Sequence, residues 1–251
     1  MLSITDAQLF GWLSSFLLPF FRVLGLFTTA PVMSQRSVPL RVRIAVSGLT
    51  AAIVAPTVQV GGGGFEGPNL VVLVAHEVLV GLTLGFIARV IFSAFELAGE
   101  AIGLQMGLSF AGFYDPQSGS GNPVSRLLNT IALTAFVVMN GPGMLLMAVT
   151  ESFRVIPIDM TFGWLAGRSP IALGTQMFAL ALAIALPFIA LLLFVNVALG
   201  VMSRVAPQFS VFAVGFPLTI GIGLVLLALV MPLLEIPLGS AMTQLRIAVG
   251  G

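Results

Sequence analysis

Ser169 to Ser203 reads SPIALGTQMFALALAIALPFIALLLFVNVALGVMS, 35 residues between Arg168 and Arg204 without one charged side chain. About 20 apolar residues cross the hydrocarbon core of a bilayer, so this stretch alone predicts a membrane helix with length to spare. Working outward, the neighbouring intervals are of the same kind. Between Arg204 and Glu235 lie 30 uncharged residues, between Arg126 and Glu151 lie 24, and between Arg43 and Glu66 lie 22. Two further apolar stretches carry charges. Leu9 to Met33 holds Arg22, Pro19 and Pro31, and Leu70 to Gly107 holds His76, Glu77 and Arg89. The second contains no Gly-Pro break. As one helix of about 38 residues it would run about 57 Å at 1.5 Å per residue, against a bilayer core of about 30 Å. It is expected to bend or to stand partly outside lipid.

Composition agrees. Hydrophobic residues make up 58% of the 251 and charged residues 8%, with a mean hydropathy of +1.13. A soluble domain averages about 25% charged residues, and a water-facing surface cannot be built from a third of that. The expectation is an all-α membrane protein of about six hydrophobic helical segments, kinked and hairpin-like. They form a single domain over residues 1–251, with poorly defined tails at 1–8 and 238–251.

The ten basic residues are all arginine and nine acids nearly balance them, so the net charge of +1 gives no ground for a nucleic-acid partner. The absence of cysteine excludes disulfides, iron–sulfur clusters and thiolate zinc sites. His76, the single histidine, excludes a multi-histidine metal cluster. No cofactor is expected. Met1 to Phe21 has no basic residue ahead of its apolar run, unlike a signal peptide, and is expected to remain as the first membrane helix. Arginine bias sets orientation. With the N-terminus outside, Arg36, Arg41, Arg43, Arg89, Arg126 and Arg204 lie inward and Arg154, Arg168 and Arg246 outward, which favours both termini on the outer side.

Several local patterns carry candidate chemistry. Gly99, Gly103 and Gly107 recur every fourth residue in ELAGEAIGLQMG, Glu96 to Gly107. On a helix they form a stripe that admits a neighbouring backbone, either within the chain or as a seam against another subunit. Glu96 and Glu100 flank the stripe. Membrane carboxylates face a partner or water. A structural ion pair with Arg89 or Arg22 suits these two better than acid–base catalysis, which needs a third orienting group and a pocket; a water-lined passage is the other reading. His76 beside Glu77 reads as a satisfied interfacial histidine more readily than as a proton relay. Asn140-Gly-Pro-Gly143 is expected to break the fourth segment, Pro187 and Pro217 to interrupt the last two, and Asn196 to bond across a helix interface. The tetraglycine at Gly61–Gly64 is a connector and not a phosphate loop, since no Gly-Lys-Ser/Thr follows it.

The most unusual segment is SFAGFYDPQSGSGNP, Ser109 to Pro123. Phe110, Phe113 and Tyr114 crowd a backbone loosened by Gly112, Gly119 and Gly121. A flexible loop tipped with rings can obstruct a channel; as a plain exposed connector it would not need them.

Five elements in fixed order carry a resemblance: Gln105 to Ala111 (QMGLSFA), Asp115-Pro116, Asn140-Gly141, Ser152 to Pro157 (SFRVIP), and Arg204 to Pro217 (RVAPQFSVFAVGFP). SVPLRVR at Ser37 to Arg43 fits the same pattern. Together they resemble the FliR family, the flagellar export-gate subunit equivalent to SctT of virulence type III secretion, over about Leu9 to Pro237. Family members often carry histidines where this chain has Pro142 and Gly143. The resemblance implies a multi-pass subunit of the bacterial inner membrane and flagellar basal body, in a helical complex with FliP-like and FliQ-like partners. FlhB-like and FlhA-like proteins lie on its cytoplasmic side, and unfolded flagellar proteins pass through its pore. It implies a plug loop at 107–123, with Met106, Phe110, Phe113, Tyr114 and Asp115 as gating candidates. It also marks Arg204, Pro207, Gln208, Gly215 and Pro217 as family positions. Arg22, Glu77, Arg89, Glu96 and Glu100 remain the intramembrane ion-pair candidates. A secondary transporter for a small solute is the competing expectation, since broken helices with buried carboxylates suit one; no internal repeat supports it. An intramembrane hydrolase lacks a constellation of catalytic side chains.

Overall fold

The computed structural model describes residues 6–35, 38–58, 68–108, 122–158, 170–205 and 215–250. Among them there is no strand. Eight helices follow in order: α1 Asp6–Thr29, α2 Leu40–Val54, α3 Pro68–Gln105, α4 Pro123–Val138, α5 Gly141–Val155, α6 Pro170–Val205, α7 Phe216–Val230 and α8 Glu235–Gly250. Short 3-10 turns extend α2 at Ala55–Thr57 and join α7 to α8 at Met231–Leu234. Each of the six apolar segments holds helix among its described residues, and the last continues into α8 over the tail that the hydropathy pattern left undefined. By length and apolarity three qualify as spans: Leu40–Thr57, Leu70–Gln105 and Ile171–Val205. The pair α4 and α5 qualifies as a fourth, broken one, while Ser15–Thr29 and Phe216–Leu229 are shorter apolar helices.

Each break has a local cause. Asn140 takes the left-handed conformation at φ 58° and ψ 32°, which L residues other than asparagine and aspartate rarely adopt. It ends α4 and its carbonyl accepts the first bond of α5, from Met144 at 3.1 Å. Pro142 follows in the first turn of α5, where its missing N–H would have had no partner. A Cβ on Gly143 would stand 2.7 Å from the Asn140 side-chain oxygen, so that glycine leaves the amide its room. Of the two prolines expected to interrupt the last segments, Pro187 does not end its helix, and Pro217 stands where a helix begins. Pro187 lies inside α6, which runs 36 residues, and Pro217 sits in the first turn of α7. At a helix start proline is pre-organised rather than disruptive.

The chain divides into two compact units, one of Met1–Val90, Val137–Leu173 and Gln244–Gly251, the other of Ile91–Phe136 and Gly174–Thr243. α3 runs through both and is the most enclosed span, with 44% of its window buried against 33% for the α6 span and 22% for the α2 span. Lipid is as apolar as leucine, so helices in a bilayer associate through close packing and interhelical bonds more than through hydrophobic burial. Both devices appear on α3. In the first unit α1 packs along α2 and meets α3 at glycines. A Cβ on Gly25 would lie 2.7 Å from the Val78 carbonyl oxygen, and one on Gly81 would overlap the Arg22 carbonyl. One on Gly85 would strike the Thr29 hydroxyl.

Candidate functional site

The close approach of α1 and α3 delivers Arg22 to Glu77. Both side chains are wholly buried. Arg22 Nε donates to Glu77 Oε2 at 2.7 Å and Nη2 to Oε1 at 2.9 Å, the bidentate arrangement that suits a guanidinium and a carboxylate. The remaining donors turn to α5. Nη1 bonds the Ser152 hydroxyl at 3.1 Å, and Nη2 bonds the Ile156 carbonyl at 3.0 Å. The Phe153 ring lies under the guanidinium, 3.9 Å from its centroid. SFRVIP, a recognised motif with no evident task in the sequence, is thus the cradle of Arg22. His76 Nδ1 approaches Glu77 Oε1 at 3.2 Å, a buried histidine with a bonded ring. Desolvating a carboxylate and a guanidinium costs several kcal/mol each, offset only where the remaining donors and acceptors are satisfied. That condition is met here, and the centre ties α1, α3 and α5 together.

A second site lies in the other unit, around the two ends of residues 109–121. Phe110, Phe113, Tyr114 and Asp115 fall outside the described residues, as do Pro207 and Gln208. The ends themselves are well defined. α3 stops at Gln105, and Gly107 turns the chain at φ +78°, a value that favours glycine. A Cβ at Gly107 would sit 2.5 Å from the Phe216 ring. The Met106 carbonyl accepts from the Thr219 hydroxyl at 3.3 Å, and its fully buried side chain fills the space beside Gly223. Asn196 Nδ2 lies 3.4 Å from both the backbone and side-chain oxygens of Gln105, the interhelical bond expected of it. The motif at Gln105–Gly107 therefore packs on the end of the motif that closes at Gly215, Phe216 and Pro217. Gly215 is buried at the start of α7, and Arg204 stands exposed in the last turn of α6, the end of a helix where a cation is favoured.

The other end is held by α3. Asn122 caps α4 by accepting the Ser125 N–H at 2.9 Å, a helix N-cap. Its own N–H donates to Glu100 Oε1 at 3.1 Å, and its Nδ2 donates to Glu100 Oε2 at 3.0 Å and to the Gly99 carbonyl at 3.2 Å. The Asn122 side chain fills the place of a Gly103 Cβ, and the Ser125 backbone fills that of Gly99. Ser125 Oγ donates to the Glu96 carbonyl at 3.0 Å, and Asn129 Nδ2 to Glu96 Oε1 at 2.8 Å. Gly99 and Gly103 thus admit the start of α4, whereas Gly107 lies past the end of α3, off the helical stripe expected of it, and faces the Phe216 ring.

The five ion-pair candidates therefore do not form one cluster. Arg22 and Glu77 pair with each other, Glu96 and Glu100 bond Asn129 and Asn122, and Arg89 approaches the Ser34 hydroxyl at 3.4 Å. Sequence reasoning missed Gly25, Gly81 and Gly85, although the last two have the same four-residue spacing as the stripe it noticed. It also missed Asn122, whose place before Pro123 is a helix-start signal. Among the described residues no group of three or more His, Asp or Glu is placed to hold a metal ion.

Comparison with known proteins gives one consistent answer. Residues 13–245 match the model of the family described as bacterial export proteins, family 1. The chain is 40% identical over 238 residues to the flagellar biosynthetic protein FliR of Escherichia coli, covering 93% of this chain and 90% of that one. It is 38% identical to that of Pectobacterium carotovorum, with 93% and 90% covered, and 33% identical to that of Bacillus subtilis, with 86% of each covered. On a match of that extent to helices of this apolarity, the chain is a membrane protein belonging to the FliR family of bacterial export proteins.

Proposed function

We propose that the chain is a structural and gating subunit of the flagellar type III export gate in the bacterial inner membrane, part of the pore through which unfolded flagellar proteins pass. It acts within the basal body, beside FliP-like and FliQ-like subunits and above FlhB-like and FlhA-like proteins, and it catalyses no reaction. The observation that carries the gating part is the built base of residues 109–121. The residues on either side of that segment are held by specific contacts, Met106 and Gly107 by Thr219 and Phe216 and Asn122 by Glu100, while the segment itself is rich in aromatic rings and glycines. A plug needs such an arrangement: rings exclude water, glycines let the backbone rearrange, and fixed ends return it to the same place. The carboxylates that suggested a solute transporter have another account, since Glu77 is spent on Arg22 and Glu100 on Asn122.

Co-expression with FliP-like and FliQ-like partners tests the assembly. Native mass spectrometry is expected to find one copy of this chain per complex, with the chain degraded or aggregated when expressed alone. A monodisperse monomer, stable in mild detergent without partners, would argue against a subunit role. Deleting residues 112–121 tests the gate: assembly should survive and leakage of small ions should rise. Unchanged conductance in the assembled deletion variant would leave the segment a passive connector.

A further inference from the structure

Two spans of the first unit reach the same level at a corner rich in arginine. From Leu70 to Arg89, α3 covers about 28 Å at 1.5 Å per residue, close to a bilayer core of about 30 Å. The α2 span, Leu40–Thr57, covers about 26 Å by the same measure. Two bonds set Arg89 level with the start of α2. Arg89 Nη1 approaches the Ser34 hydroxyl at 3.4 Å, and Arg43 Nη2 donates to the carbonyl of the next residue, Gln35, at 2.9 Å. Arg43 is half-buried and heads the packed face of α2, which continues through Ser47, Thr50, Ala51 and Val54. Its Nε is closed off from solvent with no acceptor among the described residues, so the guanidinium is one bond short. Around the rest of the helix Leu40, Val42, Ile44, Leu49 and Ile53 are exposed. Arg41, also exposed, adds a positive charge at this level. Of the acids described in this unit, Glu77 pairs with Arg22, Glu151 pairs with Arg154, and Asp6 stands at the far end of α1.

We propose that this corner binds the phosphate of an anionic phospholipid. Arg43 and Arg89 take the phosphate, Arg41 raises the local potential, and the acyl chains lie along the exposed surface of α2. The proposal rests on the chain being a membrane protein and is independent of gating. Basic pockets between membrane helices at headgroup depth hold anionic head groups. A guanidinium matches phosphate oxygens in charge and in the spacing of its donors, and Arg43 keeps a donor without an acceptor. Charge alone would suit an acidic peptide or a free phosphate equally well. The order of chemistry along α2 selects the lipid: cations at Arg41 and Arg43 are followed at once by exposed apolar side chains running deeper. A phospholipid presents phosphate and then hydrocarbon in that same order.

The test uses the complex assembled with its partners, in nanodiscs of phosphatidylcholine and phosphatidylglycerol. The chain has no cysteine, so Ile44→Cys carries a fluorophore beside the corner once the partners are stripped of theirs. Quenching by phosphatidylglycerol brominated in its acyl chains, against brominated phosphatidylcholine, reads the lipid preference at that place. An arginine near an anionic headgroup is worth about fivefold in binding, so Arg43 and Arg89 together should give phosphatidylglycerol an advantage of about 25-fold. Arg43→Gln and Arg89→Gln should each lower it about fivefold, whereas Arg43→Lys, which keeps the charge, should stay within about twofold. Arg154→Gln removes an exposed charge on α5 and should change the preference less than about twofold, as screening limits distant charges. Equal quenching by the two lipids overturns the proposal, as does quenching by neither, which would put protein over the corner. An equal drop from Arg154→Gln and Arg43→Gln overturns it too. Inorganic phosphate should not compete; competition at millimolar concentration would assign the corner to a free anion. Should Arg43→Gln not assemble, Arg89→Gln and Arg41→Gln are read in its place, and an unchanged preference in both overturns the proposal.

Discussion

Glu77 and Glu100 stand on the same helix and are held in opposite ways. Glu77 is wholly buried, meets a guanidinium on two oxygens, and shares that guanidinium with a hydroxyl, a carbonyl and a ring on α5. Glu100 is half-buried and bonds the amide and backbone of one residue, Asn122. The first arrangement joins three helices through groups that cannot be left alone in an apolar interior. The second joins a helix to the end of a connecting segment, where partial exposure lets water replace a lost bond. One fastens three helices to one another, and the other fastens the start of α4 to α3. The same side chain serves both because burial, not residue type, decides what its loss costs.

Breaking the first fastening should have the largest effect. Arg22→Ala leaves Glu77 buried without its partner, and loss of one member of a buried pair costs about 3–5 kcal/mol. The expected outcome is disappearance of the chain from membranes, followed by immunoblot after co-expression. Arg22→Lys should fail nearly as badly, because an ammonium cannot make the bidentate pair and still reach Ser152 and Ile156. Replacing both partners with methionine should recover part of the loss, since apolar substitutes of similar volume remove the desolvation cost together with the bond. A stable Arg22→Ala protein would erase the contrast between the two carboxylates.

The close approach that makes the pair possible comes next. Gly81→Val must push aside the Arg22 carbonyl, backbone that cannot rotate away, and overpacking of this kind costs about 1–3 kcal/mol. The melting temperature of the purified complex should fall accordingly. Gly174, with nothing within 4 Å of its Cβ position, is the comparator. Gly174→Ala should raise stability by about 0.5–1 kcal/mol, through helix propensity alone. A loss at Gly174 instead would place another subunit's backbone against it.

These cases mark where the sequence was legible. Charge-free length located four of the apolar segments and apolarity despite embedded charges the other two, and Asn-Gly-Pro-Gly located the break between α4 and α5, because all of these depend on neighbouring residues. Arg22 and Glu77 were visible as costly groups in apolar stretches, but their pairing spans 55 positions and depends on Gly25 and Gly81 meeting across helices. Nothing local encodes that distance. Glu100 invited a search for an arginine and bonded an asparagine, since a helix N-cap offers donors that composition does not advertise. Pro187 misled for a related reason: whether a proline ends a helix depends on the neighbours that pack around it, and α6 runs through this one.

Asn140 bears on a backbone instead of a side-chain bond. Asn140→Ala forces alanine into the left-handed region, at a cost of about 1 kcal/mol. Asn140→Gly should be within a few tenths of wild type, because glycine adopts that region freely and the asparagine makes no side-chain cap bond to α5. The ratio of the two melting shifts is the measurement. Equal shifts would mean that the amide over Gly143, and not the backbone angle, matters at this turn.

The smallest effect is expected at Asn196, the neutral counterpart of both carboxylates. Its Nδ2 is shared between two oxygens of Gln105, each at 3.4 Å, near the limit of a useful hydrogen bond. Polar bonds between membrane helices average about 0.6 kcal/mol when measured by double-mutant cycles, because each partner finds substitutes when separated. Asn196→Leu keeps the volume and removes the donor, and Gln105 retains neighbours in a half-buried position. The melting temperature of the complex should therefore barely change, and with Gln105→Leu added the double variant should lose less than the sum of the two single losses. The same variant bears on the beginning of the segment 109–121. If Asn196 were decisive there, leakage would rise in Asn196→Leu. The long, divided bond predicts otherwise, since Gly107 against Phe216 and Thr219 on the Met106 carbonyl hold that end independently. A stability loss above about 2 kcal/mol, beyond any interhelical bond of this type, would require Asn196 to reach a polar group outside its own chain.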